Sequence, residues 1–476
     1  MKACRLADHR LFQVDGRGFL FLPGQNAIFE VEENIRSLID TYSHSRNRLN
    51  TDIRQQEGNP LAEPLRSLLG LRVVVPEDTD PVPRWNPSEN VPIQTLVLHI
   101  THSCNLGCVY CYHGTREKVS EKKAVMDLET AFHGIDLLMD RSGDLDTVTL
   151  VLFGGEPLLR FEDMKSITAY ARRKASERNK TVRLALTTNG VLLTEEIVRF
   201  LRDEQVSVTV SIDGPPDVHD RYRPFPDGKP SLKAVSRGVE RLIRNRGQMP
   251  VAARVTVAHS PAHVTRTLDY LLEMGFSEVG FSPVTTHEVG FQLQDEAMNE
   301  LLAHFRQISE RFLATARSGN LLGFTNLIDL LVNLHEGKVK THPCGAGLGM
   351  FSVGVDGQLY LCQRLTGSDQ FSMGNVFDGL DSDRVIPFRK RGSIENRAGC
   401  HSCPARSVCA GGCYHEALIR QGSLTTPNRH YCRWIRKWLD IGLDTYARLC
   451  LENSDYLDKL SLLRGHAPYQ AKAFMH

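Results

Sequence analysis

Ten of the twelve cysteines fall in two short stretches, three within residues 104–111 and seven within 344–432. No other feature constrains the chain as strongly. In an oxidising compartment such clusters are disulfide frameworks, whereas in a reducing one they hold metal. The opening residues, MKACRLADHRLFQVDG, carry no apolar h-region and no signal-peptide pattern, so the expected compartment is the reducing cytoplasm. Metal is therefore the expected occupant of both groups. Cys4 and Cys450 stand apart and read as buried or idle thiols. Lys+Arg of 57 against Asp+Glu of 56 leaves a net charge of +1, which does not suggest a nucleic-acid or membrane-surface binder. No apolar run reaches the roughly 18 residues of a spanning helix, so no membrane partner is expected.

The 476 residues have room for two or three domains. Residues 1–75 begin with short strand-like runs, RLFQV, GFLFLP and NAIFEV, followed by helical patterns near 32–44 and 60–69. A Pro-rich polar stretch within 76–93 reads as a linker. From 94 to 335 apolar strand candidates alternate with amphipathic stretches. The strands are expected at 95–101, 147–153, 182–188, 206–212, 251–257 and 278–284, the helices at 128–140, 162–176, 194–204, 231–245 and 262–273. A longer helical stretch is expected over 293–335, and helix again over 433–464. Repeated βαβ units imply a parallel sheet, and the expected fold is α/β, a partial (β/α)6 barrel of the TIM type. Functional side chains then belong at the C-terminal ends of the strands.

The first cysteine group follows the first of these strands directly: Cys104-Asn-Leu-Gly-Cys108-Val-Tyr-Cys111, spacing C-x3-C-x2-C. Three thiolates on one loop can hold three irons of a [4Fe–4S] cube, leaving the fourth open to a small molecule. Zinc is the alternative, with His102 or His113 as a fourth ligand. Polar groups stand at the next strand ends. The second strand ends in Gly154-Gly155-Glu156-Pro157, where an acid can receive an ammonium group and a plain tight turn explains the glycines equally well. The third ends in Thr188-Asn189 and the fourth in Ser211-Ile212-Asp213; the fifth carries Arg254, which a structural ion pair would also explain.

C-x3-C-x-aromatic-C after a first strand resembles the radical S-adenosylmethionine (SAM) superfamily. The resemblance implies that the open iron chelates SAM and that an electron from the cluster cleaves it to a 5′-deoxyadenosyl radical. It puts Tyr110 beside the adenine. Gly154, Gly155, Glu156 and Pro157 match the motif that holds the SAM amino group. Ser211, Asp213 and Arg254 would contact the ribose and the methionine carboxylate, with Thr188 and Asn189 on the same rim.

The second group reads Cys344-x12-Gly357-x4-Cys362, Cys400-x2-Cys403-x5-Cys409-x3-Cys413 and Cys432. Seven thiolates in this span suit two Fe–S clusters or two zincs. The array resembles the SPASM domain of radical SAM enzymes that modify peptides, here 336–435, with 436–476 as a helical tail. By that resemblance Cys344, Cys362 and Cys413 bind one auxiliary cluster and Cys400, Cys403, Cys409 and Cys432 the other, making three [4Fe–4S] clusters. Two departures stand out. The segment Gly345–Met350 lacks the eighth cysteine that family members often carry, so the first auxiliary cluster has only three protein thiolates. Gln363 stands where sulfatase-maturing relatives have an acid directly after the cysteine at the position of Cys362, which argues against that activity.

The N-terminal segment resembles the winged-helix-like element that captures leader peptides, and a cap packed on the barrel is the plainer reading. The layout as a whole is similar to the family that matures the small subunit of quinohemoprotein amine dehydrogenase by thioether crosslinks from Cys sulfur to Asp or Glu carbons. The implied partners are a small Cys-containing peptide or protein and a flavodoxin- or ferredoxin-type electron donor. Carbon–carbon or carbon–oxygen crosslinking, or side-chain oxidation, is the alternative within peptide maturation. A non-catalytic Fe–S carrier or zinc protein is the alternative outside it.

Overall fold

The structure, a computed structural model, describes residues 3–55, 61–80, 91–112 and 124–465. Part of the linker, His113 and the end of the tail lie outside the described residues. Four strands open the chain: β1 (Cys4–Leu6), β2 (Arg10–Val14), β3 (Arg17–Leu22) and β4 (Ala27–Val31). β5 (Val74–Pro76) returns to pair antiparallel with β1, and β2-β3-β4 form an antiparallel sheet. The expected strands and helices are present, but the β1–β5 pair and a helix over Arg46–Arg54 had no signature. Three residues of strand are too few for a period to register. Leu20, Leu22, Ile39, Leu49, Leu68 and Val73 close a separate core here.

The barrel strands are β6 (Thr95–Thr101), β7 (Thr147–Gly154), β8 (Thr181–Thr188), β9 (Ser207–Ser211), β10 (Val251–Val257) and β11 (Glu278–Pro283). They pair in chain order, all parallel, and give the expected partial barrel. Each crossover helix buries one stripe. Leu232–Asn245 turns Leu232, Val235, Val239 and Leu242 inward, a helical repeat of three to four residues. Capping sets where helices begin: the Asp127 side chain accepts from Thr130 N, and Thr194 from Ile197 N.

Two expectations are corrected. The helical stretch 293–335 is two helices, Asp295–Arg317 and Thr325–His335, because the chain turns at Gly319 with φ +73°. The Cys-rich region is continuous with the barrel sheet. β12 (Met350–Val353) pairs parallel with β6, and β13 (Gln358–Tyr360), β14 (Ser372–Asn375) and β15 (Gly379–Leu380) extend it antiparallel to ten strands. Met-Phe-Ser-Val is too short an apolar run to be assigned from the sequence.

Asn26 joins the N-terminal segment to the rest. It is fully buried, donates to Asn333 O and Lys338 O, and accepts from Ser407 Oγ at 3.0 Å. Among the described residues no helix is long and apolar enough to cross a membrane.

Gly238 permits the close contact of helix 232–245 with the end of β8. A Cβ there would stand 2.1 Å from Gly190 O, and Gly190 is itself held at φ +80°. Alanine would gain roughly 1 kcal/mol of helix propensity. The backbone clash outweighs it, and Gly238→Ala is expected to cost a net ~1–3 kcal/mol in denaturant unfolding.

Candidate active site at the strand ends

The loop after β6 carries Cys104, Cys108 and Cys111, and the end of β7 is fastened against it. Gly155 N donates to Thr101 O and Glu156 N to Ser103 O, both at 2.8 Å. A Cβ on Gly154 would lie 2.2 Å from Thr101 O, and one on Gly155 would lie 2.2 Å from Ser103 O. Side chains cannot occupy that space. At these two Cβ positions the space is filled by the cysteine loop itself.

Glu156 is fully buried, and both its oxygens are engaged. Oε1 accepts from Thr188 Oγ1 at 2.7 Å and Leu158 N at 3.1 Å, and Oε2 accepts from Asn189 N at 2.7 Å. Burial pushes its pKa up to about 7 against these donors. The carboxylate braces β7 against β8, and Pro157 begins the short helix that follows. Asn189 reaches back to the cysteine loop, donating to Asn105 Oδ1 at 2.7 Å and approaching Cys104 Sγ at 3.8 Å.

Asp213 is the second buried anchor. Oδ1 accepts from Thr256 N at 2.9 Å, Oδ2 pairs with Arg223 Nε at 3.0 Å, and the Tyr110 hydroxyl donates to Oδ2. The Arg223 guanidinium lies 5.4 Å from the Tyr110 ring centre. Tyr110 and Asp213, expected beside SAM, thus tie the cysteine loop to the ends of β9 and β10. Behind them Asp213 N donates to His219 Nδ1, so the ring proton sits on Nε2 and points to Ser231 Oγ at 3.0 Å. Arg223, His219 and Thr256 were missed because nothing in the sequence marks an arginine or histidine past a strand end as a partner of that strand.

Ser211 and Arg254 are register partners on β9 and β10, and Arg254 Nη2 donates to Ser282 Oγ at 3.0 Å. Of the expected SAM contacts, these two keep side chains outside the buried network.

The cysteines form three sets whose members feel one another's charge: Cys104 with Cys108 and Cys111, Cys344 with Cys362 and Cys413, and Cys400 with Cys403, Cys409 and Cys432. Exposure differs between them. Cys104, Cys111, Cys344 and Cys413 are exposed, whereas no member of the four-cysteine set is. Burial pushes Cys108 and Cys400 up to about 11 and Cys362 and Cys409 up to about 12. A thiolate in such surroundings needs bound cationic metal, and the donor sets fit iron–sulfur groups. Among the described residues no three ligating side chains converge on a single-ion position.

The model of the Radical SAM superfamily matches residues 98–305. The chain is 30% identical over 359 residues to the serine-type anaerobic sulfatase-maturating enzyme of Bacteroides thetaiotaomicron, covering 69% of this chain and 84% of that enzyme. The corresponding enzyme of Klebsiella aerogenes is 26% identical over 346 residues, covering 69% and 81%. Among solved structures, anSMEcpe with bound AdoMet superposes with a TM-score of 0.67 at 20% identity, over 79% of this chain and all of that one.

Two predictions follow from the Asp213 network. Asp213→Asn leaves Arg223 buried and unpaired and is expected to cost ~3–5 kcal/mol, while Tyr110→Phe costs about 1.5–3, both read by anaerobic denaturant unfolding. Burial and Arg223 push the His219 pKa from 6.5 down to about 4. The unfolded state therefore binds the extra proton, and stability falls as pH drops through that window. His219→Gln should flatten the decline. With the strand-end site and the matches together, the chain belongs to the radical SAM superfamily and is a radical SAM enzyme related to the sulfatase-maturating enzymes.

Proposed function

We propose that this enzyme matures a small Cys-containing peptide or protein by joining Cys sulfur to an Asp or Glu side-chain carbon. The observation that carries this reading is the division of ten cysteines into two sets of three, each with two exposed thiols, and one set of four with none exposed. Three thiolates leave one iron of a cube free, and four leave none. Cys104, Cys108 and Cys111 would hold the SAM cluster, Cys344, Cys362 and Cys413 an auxiliary cluster with room for a further ligand, and Cys400, Cys403, Cys409 and Cys432 a closed one. When bound, these groups supply a 5′-deoxyadenosyl radical that takes a hydrogen atom, a site for sulfur, and an acceptor for the surplus electron.

The chain's own residues do the positioning. Glu156, Thr188 and Asn189 fix the rim of β7 and β8 against the cysteine loop. Asp213, Tyr110 and Arg223 hold the other side of that loop. Arg254 offers a planar fork to the SAM carboxylate. A peptide substrate is supported by the solved relative named as anSMEcpe with bound AdoMet and Cp18Cys peptide, TM-score 0.64. Gln363, an amide, distinguishes the chain from the sulfatase-maturing pattern. Residues 1–75, whose described part has its own core, are the proposed element for holding the rest of the peptide, and an amine dehydrogenase small subunit is the proposed substrate. A reducing cytoplasm and a flavodoxin- or ferredoxin-type donor complete the reading.

Replacing Cys104, Cys108 and Cys111 together with Ala is expected to abolish 5′-deoxyadenosine formation while leaving about two thirds of the iron. Mass spectrometry of a small Cys-rich protein co-expressed with the enzyme should show two hydrogens lost per link and an alkylation-resistant cysteine. 5′-Deoxyadenosine persisting in the triple variant would contradict the radical-site assignment. A product whose cysteines all remain alkylatable would contradict the thioether.

A further inference from the structure

Two arginines meet at the mouth of the barrel, and only one of them is accounted for. Arg254 rises from β10 beside Ser282. Arg364 comes from the turn after Cys362, is half-buried, and donates through Nη1 to Thr285 Oγ1 at 3.0 Å, just past the C-terminal end of β11. Its guanidinium carbon lies 5.7 Å from the centre of the Tyr112 ring. Tyr112 follows Cys111 directly and feels the charge of both Cys111 and Cys362. Arg364 therefore stands between the first cysteine set and the Cys344, Cys362 and Cys413 set.

Burial first, and then Arg364, disfavours the charge on Arg254, while Asp329 acts in the opposite sense. Among the described residues neither arginine has a carboxylate within the 4.0 Å of an ion pair. Arg223, Arg266, Arg311, Arg317 and Arg464 each face an acid in an ion pair, and among the described residues Arg364 does not. The stacked ring and the Thr285 contact fix the plane of Arg364 and leave most of its donors unused. Beside it Gln363 Oε1 is buried with no partner, an acceptor that a donor arriving with a ligand would satisfy. SAM carries one carboxylate, which Arg254 is placed to take. The second cation then calls for a second anion.

We propose that Arg364 binds a side-chain carboxylate of the substrate, presenting the adjacent methylene between the radical-forming site and the three-cysteine auxiliary set. This rests on the peptide-maturase reading and names its specificity determinant. A fork that grips both oxygens fixes the carbon next to the carboxyl group, the carbon at which a thioether to Asp or Glu would form.

The test uses the reconstituted holoenzyme and two synthetic peptides, one holding a Cys and an Asp, the other identical but with Asn. Affinities of wild type, Arg364→Gln and Arg364→Lys are measured for each peptide and for SAM. The wild type is expected to favour the Asp peptide, and Arg364→Gln to weaken it by about 10-fold to 100-fold, with Arg364→Lys between. The Asn peptide and SAM should shift by less than about threefold. Iron content and the auxiliary-cluster spectrum must match wild type, and Arg364→Lys carries the test if Arg364→Gln does not fold. Equal wild-type affinity for the two peptides overturns the proposal alone. A parallel loss of SAM affinity overturns it by assigning Arg364 to the cofactor. Wild type that cleaves SAM but binds neither peptide overturns the maturase reading and this proposal with it.

Discussion

The end of β7 can lie against the cysteine loop only because Gly154 and Gly155 have no side chains. Backbone oxygens of Thr101 and Ser103 stand 2.2 Å from where their Cβ atoms would be. Two main-chain hydrogen bonds close the contact, and the rest of the rim is built outward from it. Glu156, next in the chain, is carried into the interior, where Thr188 and Asn189 supply donors from β8. Asn189 then turns to the loop and to Cys104. A loop bearing three thiols is thereby held by two neighbouring strands at once. The Asp213, Tyr110 and Arg223 group holds it from the opposite side. In that buried ion pair both oxygens of Asp213 are engaged, Oδ1 by Thr256 N and Oδ2 by Tyr110 and Arg223.

The same economy of position runs through the Cys-rich region. β12 extends the barrel sheet beside β6, the strand that delivers the first cysteine set. Cys344 and Cys362, which flank β12 and β13, are therefore carried on a continuation of the framework that holds the first set. The sets differ in exposure as they differ in number. Each set of three has two exposed thiols, where a ligand can arrive, whereas the members of the set of four are buried or half-buried.

Much of this was legible in the sequence because period and spacing are local. The six barrel strands carry apolar runs of five to eight residues, and spacing separates the first three cysteines from the later seven, whose division into two sets came from the family resemblance. What was hidden is non-local or too short. β12 has four residues, and its pairing with β6 spans some 250 positions of chain. Glu156 and Asp213 were recognised as chemistry-bearing, but their hydrogen bonds to β8 and β10 were hidden, because a motif shows which residue stands at a strand end and not which way its carboxylate turns. Arg223 and Arg364 carry no motif. Their importance lies in what surrounds them, an acid in one case and the absence of one in the other.

The central claim is that the ten clustered cysteines hold three separate four-iron groups. Iron and acid-labile sulfide, counted on protein purified and reconstituted anaerobically, test it most directly. The account predicts about twelve of each per chain, with little zinc. About four irons per chain, or abundant zinc in the Cys-rich region, would contradict it.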